Sequence, residues 1–270
     1  MNFEEFWTRG DVHERVKIAL KEANLLEKKL EIEDLFPLDQ YHARGIAATI
    51  ELADKLNFAK NSTIIDIGCG LGGPARYFSK RFNCNVYGID ITEAFIEIGN
   101  YFNKLTQIDH QVTLLKGDGE NLPYQTEFFD GAVSQHVTMN IENREQFFNE
   151  AFRVLKKGAI FGFSEHGLGT KGSPIFPLPW ADNEDMSFLK TPEYTKSVLK
   201  KIGFKNIEII STGEKYISGY NSLLKKGQSN EKPTLGIHVI GGDSMLERSK
   251  NSMKSIIENR TYPFEIICNR

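Results

Sequence analysis

Between Thr63 and Gly73 the chain reads TIIDIGCGLGG, and this stretch restricts the available folds more than any other. Thr63, Ile64, Ile65 and Ile67 form a β-branched run with the length of a buried parallel strand. The run breaks into alternate glycines at Gly68, Gly70 and Gly72, with a fourth at Gly73, and helix-competent residues follow. Glycine admits backbone dihedrals that other residues resist, and it lets a ligand come close to the main chain. A strand, a glycine turn and a helix N-terminus in that order make a cradle for a nucleotide.

The rest of the chain continues the alternation. Apolar runs at 63–67, 85–89, 112–115, 130–134 and 159–163 are separated by helical patterns, which predicts βαβ units and a parallel sheet. Upstream, Asp11 and Glu14 read as a capping box ahead of Val12, Val16, Ala19 and Leu20. A break is expected at Leu35-Phe36-Pro37, then a helix over about 43–57. Thr92 is placed to cap the helix after the second run. Thr191-Pro192-Glu193 starts a helix that stops at Gly203, before a strand at 206–210. A partly helical stretch, 213–260, and a last apolar run, 264–268, complete the chain. The expected division is an N-terminal helical cap segment, 1–58, and a main domain, 59–270.

Composition bounds the function. At 270 residues, 40% hydrophobic and 26% charged, the chain suits one α/β domain with a small appendage. Net charge is −3, and Lys156-Lys157, Lys200-Lys201 and Lys225-Lys226 are isolated pairs rather than the clustered basic footprint of a nucleic-acid binder. No apolar run reaches the roughly 20 residues that span a bilayer, and Met1 to Glu5 lacks the order of a secretory signal. Cys69, Cys84 and Cys268 show no Cys-x-x-Cys or Cys/His ligand spacing, so no metal site is expected, and a reduced cytoplasmic setting fits.

Gly68, Gly70 and Gly73 also satisfy Gly-x-Gly-x-x-Gly, so the spacing alone admits a dinucleotide. Three acids tilt the choice. Asp66 lies two residues before the first glycine, Asp90 ends the second strand run 17 residues after Gly73, and Asp118 with Glu120 follows the third. A carboxylate at the Asp90 position accepts both ribose hydroxyls. One acid per strand end on three successive strands fits a nucleoside lying across them.

With these residues the chain resembles the class I S-adenosylmethionine-dependent methyltransferases over most of its length. Asp66-Ile67-Gly68-Cys69-Gly70-Leu71-Gly72 looks like that family's first motif, Asp90 like its ribose acid and Asp118 like the residue beside adenine. Phe128 to Val133 and Arg153 to Ala159 resemble its fourth strand and the turn before the fifth, with Lys157-Gly158-Ala159 in place of the usual Pro-Gly-Gly. Gln135 to Ile141 and Pro177 to Ala181 resemble a small-molecule subgroup that includes sarcosine/dimethylglycine N-methyltransferases, with phosphoethanolamine and quinone-ring methyltransferases as more distant relatives. The resemblance implies a Rossmann-like, doubly wound, seven-stranded mostly parallel sheet with an antiparallel last strand and an N-terminal helical segment that helps to close the site. It implies S-adenosylmethionine held by Asp66, Gly68, Cys69, Gly70, Gly72, Asp90, Ile91, Asp118, Gly119, Glu120 and Gln135.

Methyl transfer to an amine asks the protein to align the reactants, exclude water and take a proton. His136 and His166, just past the fourth and fifth strand runs, and Tyr41 are the catalytic candidates. Tyr41, His42, Met139, Asn140 and Trp180 are expected to meet the acceptor; the alternative for Trp180 is a core residue that pins its proline-punctuated loop. Cys69 reads as a small packing residue, and His13, His110 and His238 as structural or exposed. The expected acceptor is a small amine, with a phenol or quinol as the alternative. An oxidoreductase or a non-catalytic binding protein ranks below both. No nucleic acid or membrane partner is expected, and the 213–260 stretch is left to line the pocket or to form a homodimer contact.

Overall fold

The computed structural model describes residues 3–8, 11–26, 28–42, 44–227, 233–242 and 244–270. Helices α1 (Phe3–Trp7), α2 (Val12–Glu22), α3 (Ile32–Asp39) and α4 (Ile46–Leu56) precede strand β1 (Thr63–Ile67). Then follow α5 (Gly73–Phe82), β2 (Asn85–Asp90), α6 (Glu93–Leu105), β3 (Val112–Lys116) and β4 (Phe129–Gln135). The chain continues through α7 (Arg144–Val154), β5 (Leu155–Leu168), α8 (Pro192–Ile202) and β6 (Lys205–Ser211). Helices α9 (Gly213–Gly227), α10 (Ile237–Gly241) and α11 (Met245–Ile257) separate β6 from β7 (Thr261–Asn269).

These strands form one seven-stranded sheet in the order β3-β2-β1-β4-β5-β7-β6, and β7 runs antiparallel to both neighbours. The chain leaves β1 toward β2 and β3 on one side, then returns to place β4 on the other. Ligands of open α/β sheets bind at such a reversal, beyond the strands' carboxyl ends. Both sheet faces are covered, which is why the strands read as continuous apolar runs. Phe147 and Phe148 of α7 pack with Phe161 and Phe163 in one core, and Leu52, Leu56 and Phe78 pack with Ile64 and Val133 in another. A side chain at Gly131 would lie 2.2 Å from the Phe58 ring, so this glycine lets the end of the α4 segment seat directly on β4.

Local signals fold largely as read. Asp11 Oδ1 accepts from the Glu14 N–H at 2.9 Å, Thr191 Oγ1 accepts from the Tyr194 N–H at 3.2 Å, and Gly203 ends α8 at φ 118°. Three expectations are corrected. No break occurs at Leu35 to Pro37: α3 runs through it, started by the reciprocal Glu31–Asp34 capping box and held by the fully buried Leu35 and Leu38. The fifth run extends from 159–163 to the full β5 because β7 pairs along it from Ile160 to Leu168. Thr92 occupies the N-cap of α6 without capping through its side chain; its N–H instead donates to Asp90 Oδ1 at 2.9 Å. Among the described residues, no helix is long and apolar enough to cross a membrane.

Candidate active site

The turn after β1 is fastened to the end of β2. The Gly68 and Cys69 N–H groups donate to the Ile89 carbonyl at 2.7 and 3.0 Å, and the Gly70 N–H donates to Asp90 Oδ2 at 2.9 Å. Gly68 has φ 81°, and a Cβ there would lie 2.1 Å from Val137 Cγ2, so a side chain would collide with the chain leaving β4. Gly70 has φ 52° with open space where a side chain would stand. Gly72 departs from expectation. Its missing Cβ faces Leu114 at 2.6 Å, so it serves as the left-handed N-cap of α5 and stands back from the cavity wall.

A cavity of about 380 Å³ opens beyond β1, β2 and β4. One half is lined by Asp66, Gly68, Cys69, Gly70, Asp90 and Ile91, with Asp118, Gly119 and Glu120 beside them. The other half is lined by Gln135, His136, Met139, Asn140, His166 and Trp180, with Tyr41 and His42 above. The fold therefore brings every sequence-predicted site residue except Gly72 into one cavity. It adds Trp7 from α1, Tyr216 and Tyr220 from α9, and Met245 and Ser249 from α11. No motif marks these five, because they come from helices whose only sequence signal is periodicity.

Asp66 is buried, and its Oδ2 has no hydrogen-bond partner. Burial, and after it the neighbouring Asp90 charge, push the Asp66 carboxyl up to about 7. Burial also raises Asp90, while hydrogen bonds from Thr92 and Gly70 act in the opposite direction. The Cys69 thiol is driven well above its ordinary value by burial and the two acids, so it packs rather than reacts.

The second half is built around imidazoles. His136 sits in the left-handed region at φ 59°, and its N–H donates to the Ser164 carbonyl at 2.8 Å. Its Nε2 is hydrogen-bonded to the Tyr216 hydroxyl. The His42 and His166 rings lie 5.3 and 5.5 Å from the His136 ring. Both His42 nitrogens and His166 Nδ1 are buried without partners. Burial, with the Arg44 charge, lowers His42 to about 4; burial alone lowers His166 to about 3. His136 is held well below its usual value by burial, then by His42, His166 and Arg44. Burial thus favours the neutral form of all three imidazoles. Trp180 takes the packing alternative while still facing the cavity: it is buried with Met139, Leu178 and Leu189, its Nε1–H donates to Ser187 Oγ at 3.0 Å, and its ring lies 4.6 Å from His166.

One buried ion pair supports this wall. Arg144 Nη1 donates to both Glu165 oxygens at 2.8 and 2.7 Å, and Nη2 donates to the Thr138 and Phe188 carbonyls at 3.0 and 3.1 Å. The Thr138 hydroxyl donates to Glu165, which immediately precedes His166. Nothing in linear spacing links Arg144 to Glu165. Among the described residues, no cluster of three or more His, Cys, Asp or Glu is placed to hold a metal ion.

A doubly wound seven-stranded sheet whose reversal cavity carries a glycine turn and acids from three strand ends is the arrangement that the sequence's resemblance to class I S-adenosylmethionine-dependent methyltransferases implies. Residues 65–163 match the model of the Methyltransferase domain family. Over 114 residues the chain is 32% identical to sterol 24-C-methyltransferase of Candida albicans, covering 42% of this chain and 30% of that one. The match thus spans 30% of the length of that protein and 44% of the sterol 24-C-methyltransferase of Kluyveromyces lactis. It is 26% identical over 221 residues to sarcosine/dimethylglycine N-methyltransferase of Halorhodospira halochloris, covering 82% and 77% of the two chains. In fold it matches phosphoethanolamine N-methyltransferase 2 of Haemonchus contortus, solved with S-adenosyl-L-methionine. The TM-score is 0.75 at 17% identity, covering all of this chain and 60% of that one. The residues present suit that cofactor: Asp66 offers a buried oxygen with no protein partner, Gly70 leaves open space, and Asp90 lines the cavity beside them.

Proposed function

We propose that this chain transfers a methyl group from S-adenosylmethionine to a small-molecule acceptor, with an amine nitrogen as the nucleophile. The observation that carries this reading is the continuity of the cavity. An acid-lined half, suited to the donor, opens onto a half whose polar groups include three clustered imidazoles, His42, His136 and His166, together with Tyr216, Gln135 and Asn140. Asp90 would hold the ribose, Asp118 would stand beside the base, and Asp66 with the Gly68–Gly70 backbone would face the amino-acid end. When bound, S-adenosylmethionine supplies a methyl group on a sulfonium centre and its own leaving group, the carbon–sulfur electron pair remaining on sulfur.

The chain's part is positioning and proton handling. Walls from α1, α9 and α11 exclude water, and alignment of this kind is worth roughly 7–11 kcal/mol of barrier. Residues 1–58 contribute Trp7, Tyr41 and His42 to the walls and close the site in this reading. A neutral imidazole accepts a hydrogen bond from the nucleophile and then its proton. Burial that disfavours an imidazolium also disfavours a buried ammonium, which favours the neutral, nucleophilic form of the amine. The aromatic lining also favours a second reading, methylation of oxygen or carbon on a phenol or quinol.

Calorimetric titration with S-adenosylhomocysteine, followed by labelled-methyl transfer to amines, phenols and quinols, tests the proposal. Saturable binding with turnover is the expected result; absence of binding refutes it. Two further outcomes are expected. Asp90→Ala weakens S-adenosylhomocysteine binding by about 1.5–3 kcal/mol, roughly 10- to 150-fold, because hydrogen bonds to a charged carboxylate are lost; unchanged affinity removes Asp90 from the ribose. Asp66, with its carboxyl at about 7, carries its proton below that pH and is ionised above it. A cationic ligand prefers the ionised form. S-adenosylmethionine affinity therefore falls as pH drops below about 7, by up to tenfold per unit, and Asp66→Asn flattens the profile. A flat wild-type profile would rule this role out.

A further inference from the structure

We propose that the acceptor half takes an amine or hydroxyl compound with an apolar body and discriminates against acceptors that carry a carboxylate or phosphate. The proposal rests on the methyltransferase reading and narrows its substrate class. Among the described residues, the cavity is lined by no lysine and no arginine. The guanidinium groups that stand behind its walls are paired with protein carboxylates, Arg76 with Asp39 and Arg144 with Glu165 among them. Arg44 lies over the Tyr216 ring at 5.6 Å and is ion-paired with Glu51. Arg248 donates to Asp182 and, at 2.6 Å, to the Leu178 carbonyl.

Two neutral donors of the aromatic wall are engaged within the protein, whereas Gln135 Nε2, Ser249 Oγ and one N–H of His42 can offer an anion only neutral hydrogen bonds and no countercharge. The Trp180 N–H is given to Ser187, and the Tyr216 hydroxyl is bonded to His136. The charged groups that do face the cavity are acids, with Asp66, Asp90, Asp118 and Glu120 among them. An anionic acceptor would lose its hydration, find no countercharge and approach these carboxylates; burying such a charge unpaired costs far more than burying a neutral polar group. A neutral amine has no charge to bury, and a cationic one is attracted by the acids of the cavity. The faces of Trp7, Trp180 and Tyr216 attract an ammonium by about 0.5–2 kcal/mol each. The unpartnered nitrogens of His42 and His166 offer it hydrogen-bond acceptors.

The test uses the full chain saturated with S-adenosylhomocysteine and a matched pair, N-methylphenethylamine and N-methylphenylalanine, which differ by one carboxylate. Sarcosine and phosphoethanolamine serve as further anionic probes. Binding is read by calorimetry, and labelled-methyl transfer from S-adenosylmethionine is read in parallel. N-methylphenethylamine is expected to bind at least about tenfold more tightly than its carboxylated partner, with the same order in kcat/KM and no turnover of sarcosine or phosphoethanolamine. Equal or tighter binding of the carboxylated partner, binding of neither, or turnover of sarcosine overturns the proposal while leaving the donor assignment intact. Failure to bind S-adenosylhomocysteine in the first step overturns the methyltransferase reading itself.

Discussion

Replacing Arg144 with alanine is expected to remove about 3–5 kcal/mol of stability and to lower Tm by roughly 6–20 °C. Arg144 and Glu165 are both essentially inaccessible to water, with 1% and 0% side-chain exposure. Burial already drives the Glu165 carboxyl upward, and Arg144 is the principal group opposing it. Without the guanidinium, a carboxylate is left unpaired in the core, and the Thr138 and Phe188 carbonyls lose their donor. The loss is therefore the cost of an orphaned charge rather than the net worth of the pair. That distinction has its own check. Arg144→Met combined with Glu165→Leu removes both charges at similar volume and is expected to melt well above Arg144→Ala. A single variant melting within 2–3 °C of the parent, on the order of 1 kcal/mol, would contradict the structural role. Because Thr138 and Phe188 flank Met139 and the cavity wall, the single variant is also expected to lose turnover before cofactor affinity.

His136→Ala is expected to lower kcat by about two orders of magnitude, the lower range for a positioned proton acceptor, and to leave S-adenosylhomocysteine affinity within a few-fold. The ring stands on the acceptor side, bonded to Tyr216 and flanked by His42 and His166. Alanine at φ 59° suffers the same left-handed backbone cost as histidine, so this substitution isolates the ring. His136→Gly relieves that cost by about 1–2 kcal/mol and should melt higher than the alanine variant while being equally slow. Tyr216→Phe removes the hydroxyl partner and is expected to cause a smaller loss. An unaltered kcat in His136→Ala removes this residue from the reaction.

Most of the acid-lined half of the cavity was legible because its residues follow local patterns. A glycine turn needs consecutive residues, and acids at strand ends are visible once the strands are placed. Even there Gly72 misled: its regular spacing with Gly68 and Gly70 looks like a third contact, whereas its left-handed conformation serves the start of α5. The acceptor half depends on tertiary placement. Tyr216 reaches His136 across 80 positions of chain, and Arg144 finds Glu165 from a different element. Pro37 shows the same limit on a smaller scale, since a capping box and two buried leucines outweigh one missing hydrogen bond.

The position of α9 and α11 between the two antiparallel strands has an evolutionary consequence. These helices enter the chain after every strand that frames the glycine turn, yet they form much of the wall opposite it. In the proposed function, mutation and insertion within 213–257 change which compound is modified without touching the glycine turn and the strand-end acids. Descendants of such a chain are expected to diverge fastest in this segment. Grafting it between homologues is a direct way to exchange specificities on an unaltered engine.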